Sequence, residues 1–303
     1  MLRSALLGAA RNASLRRAAA RHGMRLGARR YVAGETLGEF LAVAREVNAR
    51  GARVAGGVLG EDVGDPEEAR RAAREYESLL DAIAADGLNA NVALKLTHLG
   101  LLIEPALAVD NLESVVERAA RHRNFVRIDM EQSAVVDATL RAYRALRERG
   151  RDNLGVVLQS YLYRSEADLQ SLLPLEPNVR IVKGAYLEAR AVAFPSKRGV
   201  DANFVRLLEI SLLRSRFTAL ATHDRRIIEH AIEFIARQKV SRDRYEFQML
   251  YGVRPALQSE LMQRGFPLRV AVPFGSSWYP YLMRRLAERP ANLWFFLGSL
   301  WQK

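Results

Sequence analysis

Leu154-Gly-Val-Val-Leu-Gln159 is an apolar run that stops on an amide, and Val179-Arg-Ile-Val-Lys183 is a second that stops on a cation. Between them, Glu166–Leu173 has helical spacing, so the stretch reads strand, helix, strand. Neither run alternates cleanly between apolar and polar residues, which fits strands of a parallel sheet covered on both faces and disfavours an antiparallel sandwich. Reading outward, the same kind of run recurs at Arg53–Val58, Asn91–Leu96, Phe125–Asp129, Phe217–His223, Tyr245–Leu250 and Leu268–Pro273. Helical periodicity predicts connecting helices over Ser133–Arg149, Asn203–Ser215, Arg225–Gln238, Arg254–Gln263 and Ser276–Arg289. Eight such units predict an α/β fold, a (β/α)8 barrel of the TIM type, with its chemistry at the carboxyl ends of the strands. The polar residues that end the runs are therefore the site candidates. The first strand carries the weakest signal, because Gly56 and Gly57 lower strand propensity or mark close approach to a ligand.

The helix after the first run has a clear start. Asp65 suits the cap, Pro66 the first turn and Glu68 the capping-box spacing, while Gly87 stops the helix and Tyr76, Leu79, Leu80 and Ile83 form its apolar stripe. Asp110 with Glu113 predicts a similar start ahead of Leu112, Val115, Val116 and Ala119. Leu187–Val200, with Pro195, Lys197 and Arg198, reads as a long surface loop, with a lid as the alternative. Asn292–Trp301 concentrates Trp294, Phe295, Phe296 and Trp301 and reads as a terminal helix closing the barrel, being too short to span a membrane.

With 303 residues, 49% apolar and 26% charged, the chain divides into a basic helical segment over 1–50 and a catalytic barrel over 51–303. The absence of cysteine excludes disulfides, thiolate metal sites and a cysteine nucleophile. No run reaches the roughly 18–20 apolar residues of a membrane-spanning helix. Eight arginines precede the first acid, Glu35, so most of the net charge of +12 sits in the amino-terminal segment. Three readings of the first 30 residues stay open: a helix packed on the barrel, a helix lying on anionic lipid, and a transit peptide. Nucleic-acid binding is not expected, since no aromatic residue interleaves those arginines before Tyr31.

Lys95 lies among Val92, Ala93, Leu94 and Leu96, where a lysine needs a carboxylate partner, and Asp129 at the end of the next run is the expected one. Gln159 both donates and accepts, as reading the edge of a heterocycle requires. Arg180, Lys183 and Gly184 bring two cations and a residue without Cβ to the end of the fifth run, suited to phosphate or an electron-rich ring. Thr222, His223 and Asp224 lie just before a helix, where hydroxyl and imidazole donors make a phosphate seat. Arg284 and Arg285 on the last helix form either a carboxylate clamp or, with Arg289, a solvated basic face. A second reading, a metal-dependent barrel hydrolase, would use His98, Asp129, His223 and Asp224, although none has the spacing of a local metal motif.

Six strings together resemble one family. They are Arg30-Tyr-Val-Ala-Gly-Glu-Thr36, Val157-Leu-Gln-Ser-Tyr-Leu-Tyr-Arg164, Val179-Arg-Ile-Val-Lys-Gly-Ala-Tyr186, Ala221-Thr-His-Asp224, Tyr245-Glu-Phe-Gln-Met-Leu-Tyr-Gly252 and Tyr281-Leu-Met-Arg-Arg-Leu-Ala-Glu288. In order and spacing they resemble proline dehydrogenase in its monofunctional bacterial form, from about residue 30 to about residue 297. The resemblance implies a distorted (β/α)8 barrel with N-terminal helices that holds FAD without a Gly-x-Gly-x-x-Gly fingerprint, which this chain lacks. Carried over residue by residue, it implies that Lys95, Leu250, Tyr281, Arg284 and Arg285 bind L-proline and that Asp129 and Arg180 are catalytic. It assigns Met130, Gln159, Arg180, Lys183, Gly184, Ala185, Thr222, His223 and Glu288 to FAD, and no residue to a metal.

The implied reaction moves hydride from proline C5 to flavin N5 while the ring nitrogen loses a proton, giving Δ1-pyrroline-5-carboxylate. A membrane quinone is the implied electron acceptor. A cytoplasmic protein that meets the inner membrane peripherally, through the basic segment or the aromatic tail, is the implied setting. The chain departs from the family at Leu96, where proline is usual, at His98, where glutamine is usual, and at Ala271, where an aromatic is usual. Loss of the ring at Ala271 is expected to loosen the pocket enough for hydroxyproline or a larger cyclic imino acid.

Overall fold

In the computed structural model of the chain, residues 28–288 are described, with side chains described as far as Met283. The readings of residues 1–27 and of Asn292–Trp301, and those of the Arg284, Arg285 and Glu288 side chains, lie outside the described residues. After a 3-10 turn at Ala28–Arg30, helix α1 (Leu37–Ala49) leads into β1 (Arg53–Val58). There follow α2 (Pro66–Ala85), β2 (Ala90–Leu94), α3 (Pro105–Arg121), β3 (Val126–Ile128), α4 (Val136–Glu148) and β4 (Leu154–Gln159). The second half runs α5 (Ser165–Leu172), β5 (Asn178–Val182), α6 (Lys197–Arg214), β6 (Phe217–Ala221), α7 (Arg225–Gln238), β7 (Tyr245–Leu250), α8 (Pro255–Gln263), β8 (Leu268–Phe274) and α9 (Trp278–Glu288). The strands pair in parallel in chain order, and β8 returns to β1 to close a TIM-type barrel. Among the described residues, no helix is long and apolar enough to cross a membrane.

Strand side chains alternate between two environments. Val92, Leu94, Val126, Ile128, Val156, Leu158, Val179 and Ile181 belong to one buried core with Leu79, Leu80, Leu112, Val116 and Tyr143 of the surrounding helices. Gly56 belongs to this outer layer, since a Cβ there would stand 2.7 Å from the Phe40 ring of α1. Its small size admits a helix rather than a ligand. Phe40, Ala44 and Val47 of α1 lie in the same core as the barrel strands.

The barrel lumen is unusual. Where branched aliphatic layers are common, its amino-terminal end holds Arg53, Arg127, Glu246, Gln248 and Arg269. Glu246 accepts from Arg269 at 2.6 Å, from Arg53 at 3.2 Å and from Gln248 at 2.6 Å. Burial acts to raise the Glu246 pKa, but Arg269, Gln248 and Arg53 outweigh it and hold the carboxyl below its usual value.

Several element starts differ from their expected places. Asp110 lies inside α3, which begins at Pro105. Proline keeps Glu104 extended and occupies the first helical position, so it opens the helix without a side-chain cap. Helix α6 begins at Lys197, six residues before Asn203, because the Ser196 hydroxyl accepts from the Gly199 N–H at 3.2 Å. The expected long loop is shortened accordingly. Ser133–Val135 is a separate 3-10 turn ahead of α4, and Asp65 caps α2 through the Glu67 N–H rather than that of Glu68. Strands β2, β3, β5 and β6 stop at Leu94, Ile128, Val182 and Ala221, so Lys95, Asp129, Lys183 and the Thr222-His223 pair fall just beyond the strand ends.

Helix α9 is tied to the amino-terminal side of the chain. Trp278 Nε1 donates to Glu35 at 2.7 Å, and Trp278 and Leu282 pack with Tyr31, Val32 and Leu59 in a second small core.

Candidate active site

The polar residues that ended the apolar runs converge at the carboxyl end of the lumen. Val157 of β4 stands beside Arg180 of β5 in the register, and Asp129 follows β3. Arg180 reaches past β4 to Asp129, with Nη1 donating to Oδ1 at 2.6 Å. Burial pulls the Arg180 pKa below the usual arginine value while Asp129 opposes the shift. The guanidinium keeps two further nitrogens, Nε and Nη2, whose N–H donors are buried and meet no acceptor.

Gln159 is 2% exposed and donates to the Met130 carbonyl at 3.2 Å, which leaves its Oε1 buried without a donor. Unmet donors on Arg180 and an unmet acceptor on Gln159 thus sit on adjacent strands, a costly arrangement unless a ligand satisfies them. The edge of an isoalloxazine ring, with carbonyl and ring-nitrogen acceptors beside an imide N–H, has the complementary groups. The residues present fit a flavin.

Lys95 and Asp129 are side by side in the register, as the Asp129 N–H donates to the Leu94 carbonyl at 2.7 Å. They nevertheless do not form the expected ion pair. Lys95 Nζ lies 3.2 Å from Glu61, on the loop after β1, and Asp129 is taken by Arg180. Two residues further along each segment, Glu131 accepts from the Thr97 N–H at 3.1 Å and from its hydroxyl at 2.5 Å. This clasp joins the segments that carry Lys95 and Asp129. Burial raises the Glu131 pKa to about 7, against the Thr97 hydrogen bonds and the Lys95 charge.

Lys183 is bound to Asp201 at 2.5 Å and Asp224 at 3.0 Å, and Lys197 joins the same two carboxylates. Burial acts to raise the Asp224 pKa, and the two lysines overcome it, leaving the group at about 2. The expected phosphate seat at the start of α7 therefore already holds an anion. Asp224 accepts from the Arg226 N–H at 3.2 Å, the Thr222 hydroxyl oxygen accepts from the Asp224 N–H at 3.1 Å, and His223 Nε2 accepts from the Leu250 N–H at 2.9 Å. A phosphate entering here would exchange places with carboxylates for the two lysines.

Gly184, expected to make space for a ligand, makes space for a ring of the protein itself. It has φ +108°, and a Cβ would stand 2.2 Å from Tyr161. Ala185 follows it, half-buried, and Met130 is buried beneath Gln159. Leu250 and Ala271 are register partners on β7 and β8, both half-buried, with Ala55 of β1 next in line. Tyr281 packs against the second core.

The four residues of the hydrolase reading have separate partners. Asp129 meets Arg180, His223 meets the Leu250 amide and Asp224 meets the lysines. His98 stacks edge-on to Tyr76 at 6.0 Å, under a loop where a Gly60 Cβ would stand 2.2 Å from its ring. Burial and then Lys95 lower its pKa to about 4, so it is neutral at pH 7.

Glu61, Glu131, Thr97, Lys197 and Asp201 are additions that reading the strand ends did not select. Lys197 and Asp201 carry a sequence signal, an i,i+4 pair of opposite charge. Glu61 carries none, since its partner is 34 positions away in an unrelated run.

Comparison with known proteins identifies the family. The family model described as proline dehydrogenase matches residues 40–296. Proline dehydrogenase 1 of Bacillus subtilis is 41% identical over 303 residues, covering 100% of both chains. Proline dehydrogenase of Deinococcus radiodurans is 38% identical over 279 residues, covering 90% of this chain and 89% of its own. Among solved structures, proline utilization A from Bdellovibrio bacteriovorus inactivated by N-propargylglycine superposes with a TM-score of 0.81 at 25% identity. That match covers 90% of this chain, which spans only 34% of the larger protein.

Proposed function

The chain belongs to the proline dehydrogenase family, whose activity is the first step of proline catabolism, and we propose that it performs this step as an FAD enzyme yielding Δ1-pyrroline-5-carboxylate. The observation that carries the cofactor is the set of unmet buried groups, Arg180 Nε and Nη2 with Gln159 Oε1, at the carboxyl end of the lumen. When bound, FAD would supply the hydride acceptor at N5 and pass the electrons to a membrane quinone. Arg180, Gln159 and the Met130 backbone would hold the ring. Lys183, Thr222 and His223 would face the phosphates, with Gly184, Ala185 and Glu288 completing the cofactor's surroundings.

Lys95 and the pair Arg284 and Arg285 would bind the proline carboxylate, the arginines supplying planar forks suited to a bidentate grip. Holding that carboxylate fixes the ring relative to the acceptor, so much of the rate would come from orientation. Arg180, kept in place by Asp129, would stabilise negative charge that develops against it in the transition state. Leu250 and Tyr281 would line the substrate ring's space. Ala271, a small residue between Leu250 and Ala55 in the register, would leave room for a substituted ring such as that of hydroxyproline. Peripheral contact of a cytoplasmic protein with the inner membrane, through the basic first 30 residues or the aromatic tail, would bring it to the quinone.

Steady-state oxidation of L-proline with a dye acceptor tests the reading. Saturable turnover of L-proline, with lower but measurable turnover of 4-hydroxyproline, is expected. An enzyme indifferent to both would overturn it. Replacing Lys95 by Met should reduce kcat/KM by at least about tenfold, the loss of one charge-assisted contact, while leaving the thermal unfolding transition in place. Unchanged kinetics would make Lys95 purely structural.

A further inference from the structure

The opposite pole of the barrel carries a second polar constellation. A cavity of about 560 Å³ opens at the amino-terminal end of the strands, and its lining includes Arg53, Asn91, Arg127, Asn178, Glu246 and Arg269. Arg127 is 2% exposed, yet it has no carboxylate of its own. It donates to the carbonyls of Val156 at 3.3 Å and Asn178 at 2.8 Å and to the Asn178 side chain, and its guanidinium lies 4.9 Å from the Phe125 ring centroid.

The seat is built into the strand register. Arg127 of β3 stands beside Gly155 of β4, where a Cβ would be 2.4 Å from Nη1, so the missing side chain lets the guanidinium cross to β5. The carboxylate of the cluster, Glu246, is already shared by Arg53, Arg269 and Gln248. Three guanidinium groups therefore face one carboxylate. Burial, and then the neighbouring Arg180, bring the Arg127 pKa down to about 9, which still leaves it charged at pH 7. Its Nε–H meets no acceptor, and the Asn91 Oδ1 in the same lining meets no donor.

A buried cation with neutral partners and a free N–H is costly unless something completes it. The surplus of two positive charges suits a dianion, and the orphaned Arg127 N–H suits an oxyanion that accepts from it; hydrogen phosphate has in addition a proton to donate to Asn91 Oδ1, which a dicarboxylate dianion lacks. We propose that this pole is a binding site for a small dianionic oxyanion of the phosphate or dicarboxylate kind, distinct from the flavin and proline sites at the other end of the lumen. Its occupancy would neutralise the lumen charge beneath Arg180 and stiffen the pairing of β3, β4 and β5.

Calorimetric titration of the full-length protein with inorganic phosphate, and separately with succinate, at constant ionic strength set by chloride, tests the proposal. One saturable binding event is expected, and the anion that gives it identifies the source. Arg127→Met should abolish it. Because that variant could fail to fold, Arg53→Gln, at the solvent edge of the cluster, provides a second arm and should weaken binding at least tenfold. No saturable heat with either anion, or identical titrations in the parent and Arg53→Gln, would overturn the proposal, the latter by placing the anion elsewhere.

Discussion

Asp129 is the carboxylate that fixes Arg180, a buried cation with donors to spare. In Asp129→Asn, the charge-assisted bond to Arg180 at 2.6 Å becomes a bond to a neutral group, expected to cost about 2 kcal/mol of stability. Chemical unfolding of the two proteins would measure it, and equal midpoints with equal slopes would contradict the account. His98 gives the pH test. Its pKa lies near 4 in the fold against 6.5 ordinarily, so the neutral imidazole contributes stability that is full above pH 6.5 and is lost as pH falls through about 4. The whole effect is on the order of 3 kcal/mol. His98→Gln should lose less stability than the parent between pH 7 and pH 4, measured by urea unfolding at both, whereas parallel losses would assign the acid sensitivity elsewhere. At this scale the sequence was informative about candidates and poor about partners. Lys95 and Arg180 stood out as cations within apolar runs, and Asp129 and Gln159 as polar groups that end them, because each needs a reason in such a place. Which cation takes Asp129 depends on whether Arg180 reaches across β4 and whether Glu61 swings over Lys95, and neither is written in spacing along the chain.

The elements themselves follow local signals, including one that strand-based reading passed over. Thr36-Leu-Gly-Glu39 is a full capping box, with the Thr36 hydroxyl accepting from the Glu39 N–H at 3.3 Å and the Glu39 carboxylate accepting from the Thr36 N–H at 3.0 Å. Thr36→Ala should lower stability by about 1 kcal/mol, visible as a shift in thermal midpoint, and an unchanged midpoint would contradict the role of this cap. The start of α3 shows the opposite error, in which Asp110 and Glu113 imitate a cap inside a helix that Pro105 has already opened. The carboxyl end of β5 makes a stronger prediction. Gly184→Ala combines a left-handed φ of +108° with a Cβ 2.2 Å from the Tyr161 ring, so both backbone and packing oppose it. A loss of about 2 kcal/mol or more is expected. A variant as stable as the parent would mean that this turn readily takes another path.

For the whole molecule, the eight-fold alternation of apolar strand and amphipathic helix was legible because parallel strands buried on both faces need continuous apolar runs. The arginine-rich lumen was not, since Arg53, Arg127 and Arg269 read singly as ordinary charges near strand starts and acquire meaning only when closure of β8 on β1 brings them around Glu246. Closure also creates the polarity of the molecule, with a cationic pole at one end and, at the other, a site with unmet buried hydrogen-bonding groups. The central claim, that this site holds a flavin reduced by proline, is tested most directly by adding L-proline anaerobically to the purified protein and following its visible absorbance. Bleaching of the bound-flavin bands at a rate that saturates with proline is the predicted result; a protein that binds no flavin, or whose flavin stays oxidised, would contradict it.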